Sequence, residues 1–329
     1  MFRARALALA LLAVAPIAAA SSSPSRAGSY STGLAAAEKA SSGSDVALLR
    51  PAPEGRVHVG GGKFTMGASP AEMQAAFALC RAEPLGQASV QRVDPQTRTI
   101  FLQPLCDPHR FVAEGAAHEV TLSPFSIDRT EVRVRDYMRC VSAGRCAAPG
   151  FTVGDARFAD PDFPVVLVSW DDARDYCSFA HGRLPTEAEW ELAARGIQQR
   201  VFPWGSVYNG HLCNHGSLGV DHTDASDGYA RLAPVGSFRD GQTPLGLLDM
   251  AGNAAEWVAD EVDPDVSETF PPPYPAGPQV DPVSRGGARR VVRGGSYAEG
   301  AYEQRTTARR MEFRTTRADF IGFRCAASD

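Results

Sequence analysis

Asp249, Asn253 and Glu256 stand close together around Gly252 in the stretch LLDMAGNAAEW. Hard cations such as calcium take about six to eight oxygen ligands, mixing carboxylates with backbone carbonyls, and a glycine-containing turn lets those carbonyls converge. The competing reading is a strand-end turn whose polar groups cap backbone. A second polar stretch holds His211, His215, Asp221 and His222, but no HExxH spacing sets two imidazoles on one helix face, and zinc is not expected. Seven cysteines add a third chemistry. Arg3 and Arg5 precede an apolar run from Ala6 to Ala19, with Ala18 and Ala20 suited to a cleavage site, so residues 1–20 read as a signal peptide. An exported, periplasmic or secreted chain favours disulfides over metal binding by cysteine. Cys140 and Cys146 bracket VSAGR after a helix expected to start near Thr130, a turn compact enough to close a local bridge.

The elements that position these groups are most explicit between Pro164 and Gly196. Val165 to Val168 form a short β-branched run that predicts a strand. Ser169 with Asp172, then Thr186 with Glu189 after Pro185, are two helix-start signals in which a hydroxyl and a carboxylate satisfy each other's backbone N–H groups. Ala173, Tyr176, Cys177 and Ala180 recur at helical spacing to give one apolar stripe, with Gly182 as the left-handed residue that ends it. The second helix buries Trp190 with Ala193 or Ala194 and stops at Gly196.

Gly 31 and Pro 24 are a heavy load of turn formers, and no long helical period is sustained, so a loop-rich α+β domain of short elements is expected. Residues 21–55 are Ser-, Ala-, Gly- and Pro-rich, too poor in large apolar groups to bury a core, and read as a linker. The folded domain spans 56–329. A net charge of −5 gives no polybasic surface, so nucleic acid and anionic lipid are not expected partners. No membrane span is expected after signal cleavage.

The Pro164–Gly196 segment resembles the signature of the formylglycine-generating, sulfatase-modifying factor family. FTMG (64–67), HEVTLSPFSIDRTEV (118–132), FPWG (202–205), LGLLDMAGNAAEW (245–257), RVVRGGSY (290–297) and GFRCA (322–326) follow the family's order. The resemblance implies a C-type-lectin-like fold, with residues 69–116 as an insertion between the first two motifs. It implies calcium held by Asp249 and Glu256 side chains with Gly252 and Ala254 carbonyls. It implies a second calcium site at Asn214 and Asp227 with the carbonyls of His215 and Tyr229. By the same resemblance Cys177 pairs with Cys325. A pairing of Cys80 with Cys106 inside the insertion is then the economical choice, leaving Cys213 as a buried free thiol.

The family's oxidases hold copper(I) between two cysteines and use oxygen to convert a substrate cysteine to formylglycine. Alignment on Gly294 to Tyr297 puts Glu299 and Gln304 at those positions, and Ala255 stands where the oxidases often carry tryptophan. Soft thiolates suit copper(I), and carboxylate or amide oxygens do not, so copper is not expected. The family's iron-dependent sulfoxide synthases draw histidines from an added helical domain, and no HxxxHxH pattern occurs here. The expectation is a non-oxidase binding or accessory module that uses a groove at Ser296, Tyr297, Glu299 and Gln304 for a peptide, a small polar ligand or a partner protein. A formylglycine-generating oxidase with an atypical site is the alternative.

Overall fold

The computed structural model describes residues 55–93, 100–217, 224–263 and 270–329. Residues 1–20, expected to be a signal peptide, almost all of 21–55, expected to be a linker, and Asp221 with His222 lie outside the described residues.

The described residues open with two strands, β1 (Arg56–Val59) and β2 (Gly62–Met66), and then the insertion, which has its own elements. Ser69 and Glu72 form a reciprocal cap on α1 (Pro70–Ala82), with Pro70 in the first turn, where its missing N–H loses nothing. A hairpin, β3 (Ser89–Val93) with β4 (Ile100–Pro104), and a short α2 (Pro108–Val112) complete it. The Cys80–Cys106 disulfide ties α1 to the segment between β4 and α2.

Strands β5 (His118–Leu122) and β6 (Phe125–Asp128) lead into α3 (Val134–Ser142), which begins later than Thr130 and has no side-chain cap on Arg133. The Cys140–Cys146 bridge closes its C-terminal turn. Helices α4 (Trp170–Phe179) and α5 (Glu187–Arg195) carry both expected caps: the Asp172 carboxylate accepts from the Ser169 N–H, and the Glu189 carboxylate from the Thr186 N–H. Every residue of α5 is buried, because the helix runs through the core rather than over it.

Two local expectations need correction. Val165 to Val168 form no strand: Leu167 takes a left-handed φ of 58°, which breaks the extended run, and the segment bonds irregularly to Val132 and Ala318. The left-handed residue after α4 is His181, not Gly182. Gly182 is required for a different reason, since a Cβ there would lie 2.5 Å from the Ala326 carbonyl oxygen.

The remaining strands are β7 (Ala255–Val262), β8 (Gln279–Val280), β9 (Arg289–Arg293), β10 (Arg309–Phe313), β11 (Ile321–Gly322) and β12 (Ala326–Ser328). They complete a four-stranded sheet in the order β10-β9-β7-β11 and two three-stranded sheets, β1-β6-β12 and β2-β5-β8. Pairing is antiparallel except at β11 with β7 and β8 with β5. One core cluster packs α5 through Trp190, Leu192 and Ala193 against Phe64, Val120, Val258 and Val291. Another packs α3 and α4 through Tyr137, Tyr176 and Cys177 against Trp257 and Phe323. The Cys177–Cys325 disulfide anchors the C-terminal segment just before β12, at a sequence separation of 148. A loop of that size gives a chain-entropy stabilisation of about 5 kcal/mol.

Candidate functional site

The turn from Asp249 to Glu256 is built on unusual backbone. Asp249 and Asn253 have φ of 56° and 61°, a conformation that Asp and Asn tolerate best after glycine. Gly252 has φ of 81°, and a Cβ there would lie 2.0 Å from the Asn214 carbonyl oxygen, so only glycine fits. The Asn253 N–H donates to that same carbonyl, and Asn214 Nδ2 donates to Asn253 Oδ1 at 3.0 Å. The two predicted polar clusters are therefore one connected unit.

At its base lies Arg324 of the GFRCA motif, fully buried. Its Nε donates to both Glu256 oxygens at 2.9 and 2.8 Å, and Nη2 donates to Glu256 Oε1 at 2.7 Å. Nη1 reaches the carbonyls of Asp128 and Arg129, and Nη2 those of Leu248 and Asp249. Trp190 Nε1 donates to the remaining side of Glu256 at 2.8 Å. Glu131, which no sequence argument singled out, completes the cluster: its Oε2 is buried without a hydrogen-bond partner among the described residues. Burial and the neighbouring Asp249 charge hold the Glu131 carboxyl well above the usual carboxylate range. Asp249 and Glu256 are also raised by burial, offset in part by the Gly236 N–H and by Arg324 respectively.

The fit of each oxygen set to calcium differs. Asn214 Oδ1 is buried with no partner among the described residues, while Asp227 accepts the N–H groups of His215 and Tyr229 at 2.7 and 2.8 Å and so gathers that loop around its carboxylate. An amide oxygen, a carboxylate and backbone carbonyls are a hard donor set that suits calcium. The set at Asp249, Gly252, Ala254 and Glu256 does not fit a divalent cation while the Arg324 guanidinium occupies Glu256. Among the described residues no three His, Cys, Asp or Glu side chains converge as a metal-binding group.

Along the groove expected at Ser296, Tyr297, Glu299 and Gln304, only Glu299 keeps partial exposure. Ser296, Tyr297 and Gln304 are buried. Ser296 Oγ donates to Glu299 Oε2 at 2.9 Å, and Glu299 is ion-paired with Arg310. Gln304 Nε2 donates to the carbonyls of Ser296 and Glu299 at 3.0 and 2.9 Å, which leaves its Oε1 buried without a partner among the described residues. Burial, with the charge of Asp319, pushes the Tyr297 hydroxyl up to about 12.

Tyr297 is buried by packing with Phe158, Val166, Leu232 and Ala254, and the insertion docks on the stretch that follows. Glu83 accepts the Ala301 N–H at 2.9 Å, Arg110 donates to Tyr302 Oη and Glu303 Oε1, and Phe111 packs edge-on against Tyr302. Glu114 forms a buried bidentate pair with Arg305. These contacts seat α1 and α2 over the segment from 299 to 305. Of the cysteines, Cys213 alone is free, and burial with the nearby Asp227 charge pushes its thiol up to about 12.

Comparison with known proteins agrees with this architecture. A family model for the sulfatase-modifying factor enzyme 1-like domain matches residues 47–329. The formylglycine-generating enzyme of Thermomonospora curvata is 35% identical over 276 residues, which cover 67% of this chain and 88% of that protein. The inactive C-alpha-formylglycine-generating enzyme 2 of Mus musculus is 31% identical over 263 residues, covering 65% of this chain and 79% of that one. Among solved structures, PvdO from Pseudomonas aeruginosa superposes with a TM-score of 0.56 at 25% identity, covering 83% of this chain and 94% of that chain. With its motifs in family order on this fold, the chain belongs to the sulfatase-modifying factor family.

Proposed function

We propose that this chain is a non-oxidase member of its family, an exported binding or accessory module that acts on a peptide, a small polar ligand or a partner protein without copper chemistry. The reading is supported by the environment of Glu299 and Gln304, the two residues that the resemblance aligns with the copper cysteines. Glu299 is committed to Arg310 and Ser296, and Gln304 is buried with its amide on two backbone carbonyls. Copper(I) needs convergent soft donors. Six cysteines are locked in disulfides, and the thiol of Cys213 stays protonated at neutral pH, so no thiolate pair is on offer. Three disulfides also support export, since such bonds persist in oxidising compartments.

The oxidase with an atypical site is the second reading, favoured by the likeness to the Thermomonospora curvata enzyme. Copper(I) competition separates the two. Titrated with a copper(I)–bicinchoninate complex, the purified protein is expected to leave the chelate colour unchanged at one equivalent. Stoichiometric withdrawal of copper that is lost in Cys213→Ala would favour the oxidase.

Calcium belongs to the same proposal as a structural ion. Asn214 and Asp227, with the carbonyls of His215 and Tyr229, would hold it. It would supply positive charge to a buried oxygen cluster and fix the loop against Asn253.

A further inference from the structure

A cavity of about 580 Å³ lies between β5, β8, the N-terminus of α5, the end of β7 and the strap Pro272–Pro275. Met66, Val262, Val280 and the ring of Tyr274 give it apolar walls, and two buried carboxylates line it, Glu187, which is paired with Arg309 at the same wall, and Asp260. Both the volume and the mix of apolar wall with few polar groups are those of small-molecule sites.

The charges around the cavity explain what it would take. Glu72, Arg195, Glu191, Arg293, Glu187 and Arg309 form an alternating chain of ion pairs, buried except at the partly exposed Glu72. Acids and guanidinium groups are equal in number along it, so the chain closes at neutrality. Asp260 is the excess. Its Oδ2 accepts the Glu187 N–H at 2.6 Å and its Oδ1 accepts the Ser284 N–H at 2.9 Å. No ion pair reaches it among the described residues, although it is only 6% exposed. Arg309 does not supply one: its Nε and Nη2 are held by Glu187, and its Nη1 by the carbonyls of Ala113 and Pro272. A buried carboxylate without a cation is costly, and each of its oxygens keeps an unused lone pair.

We propose that the cavity binds a small organic ammonium ion with an apolar body, its nitrogen paired with the Asp260 carboxylate and its body against Tyr274, Val262 and Val280. The Asp260 carboxylate supplies the charge that recognises such ions, while Val262, Val280 and the edge of Tyr274 take the apolar body, the face of that ring being covered by the Arg309 guanidinium 4.1 Å from its centroid. Burial and the Glu187 charge raise the Asp260 carboxyl to about 7, which is the state expected of a carboxylate lacking its cation. The inference is independent of the copper question, because the cavity shares no lining residue with Ser296, Glu299 or Gln304.

Calorimetric titration of the full chain at pH 7.5 with benzylammonium, benzyl alcohol and benzoate tests it. Benzylammonium is expected to bind at least about tenfold more tightly than benzyl alcohol, with benzoate weaker still. Asp260→Asn should erase that preference. Should that variant fail to fold, Val280→Trp decides: Val280 is 75% exposed at the cavity, so a bulky ring there obstructs the cavity without disturbing the core. Its affinity for benzylammonium should fall at least about tenfold with the unliganded melting temperature unchanged. Equal binding of benzylammonium and benzyl alcohol by the wild type, or unchanged affinity in Val280→Trp, overturns the proposal.

Discussion

Replacing Arg324 by methionine tests the cluster on which the polar turn is built. The side chain is fully buried, and methionine keeps most of its volume while removing the charge and all its donors. Glu256 would be left with the Trp190 N–H as its hydrogen-bond partner, and four carbonyls, those of Asp128, Arg129, Leu248 and Asp249, would lose a donor. Breaking a buried ion pair costs about 3–5 kcal/mol, and each carbonyl left without a partner adds about 1 kcal/mol where water does not replace the guanidinium. Domains of ordinary stability hold about 5–15 kcal/mol, so Arg324→Met should lose a third of that or more. Urea denaturation with the disulfides intact reads the loss. The double variant Arg324→Met/Glu256→Gln, which removes the stranded charge, should recover about 2 kcal/mol of it. A single variant within about 1 kcal/mol of wild type, or a double variant no better than the single, would refute the reasoning.

Two further outcomes are expected. Asp260 has its folded pKa raised to about 7 from 3.8 by burial and by Glu187, with Arg309 opposing, so its favourable contribution is complete below 3.8 and lost as pH rises through about 7. The stability of Asp260→Asn relative to wild type should therefore climb between pH 4 and 8, by at most about 4 kcal/mol, and a flat difference curve would contradict the assignment. Calcium at millimolar excess should raise the melting temperature over that in chelator, and Asn214→Ala with Asp227→Ala should abolish the shift. Identical wild-type curves with calcium and chelator would remove calcium from the account.

Signals confined to a few residues were legible in the sequence. The caps at Ser169 and Thr186 and the short Cys140–Cys146 turn need only neighbours along the chain, and the structure contains them. Leu167 was opaque because its left-handed backbone follows from distant bonds to Gly150 and Ala318, not from its β-branched surroundings. The burial along the expected groove was opaque for a related reason. Ser296, Glu299 and Gln304 look like open polar groups until Tyr297 packs with Phe158, Val166, Leu232 and Ala254 and the Gln304 amide turns onto the Ser296 and Glu299 carbonyls. Glu131 and Arg324 both lay in motifs recognisable in the sequence, yet their convergence on Glu256 and Asp249 depends on tertiary packing alone.

The proposed absence of oxidase chemistry rests on Glu299 and Gln304 standing where the resemblance puts the copper cysteines. Its most direct test is incubation of the purified chain with copper, oxygen, a reductant and a sulfatase-type cysteine peptide, followed by mass spectrometry of the peptide, with an active formylglycine-generating enzyme run in parallel. The account predicts an unmodified cysteine in the presence of this chain and an aldehyde only in the parallel reaction. Formylglycine that depends on this protein and on copper would contradict it.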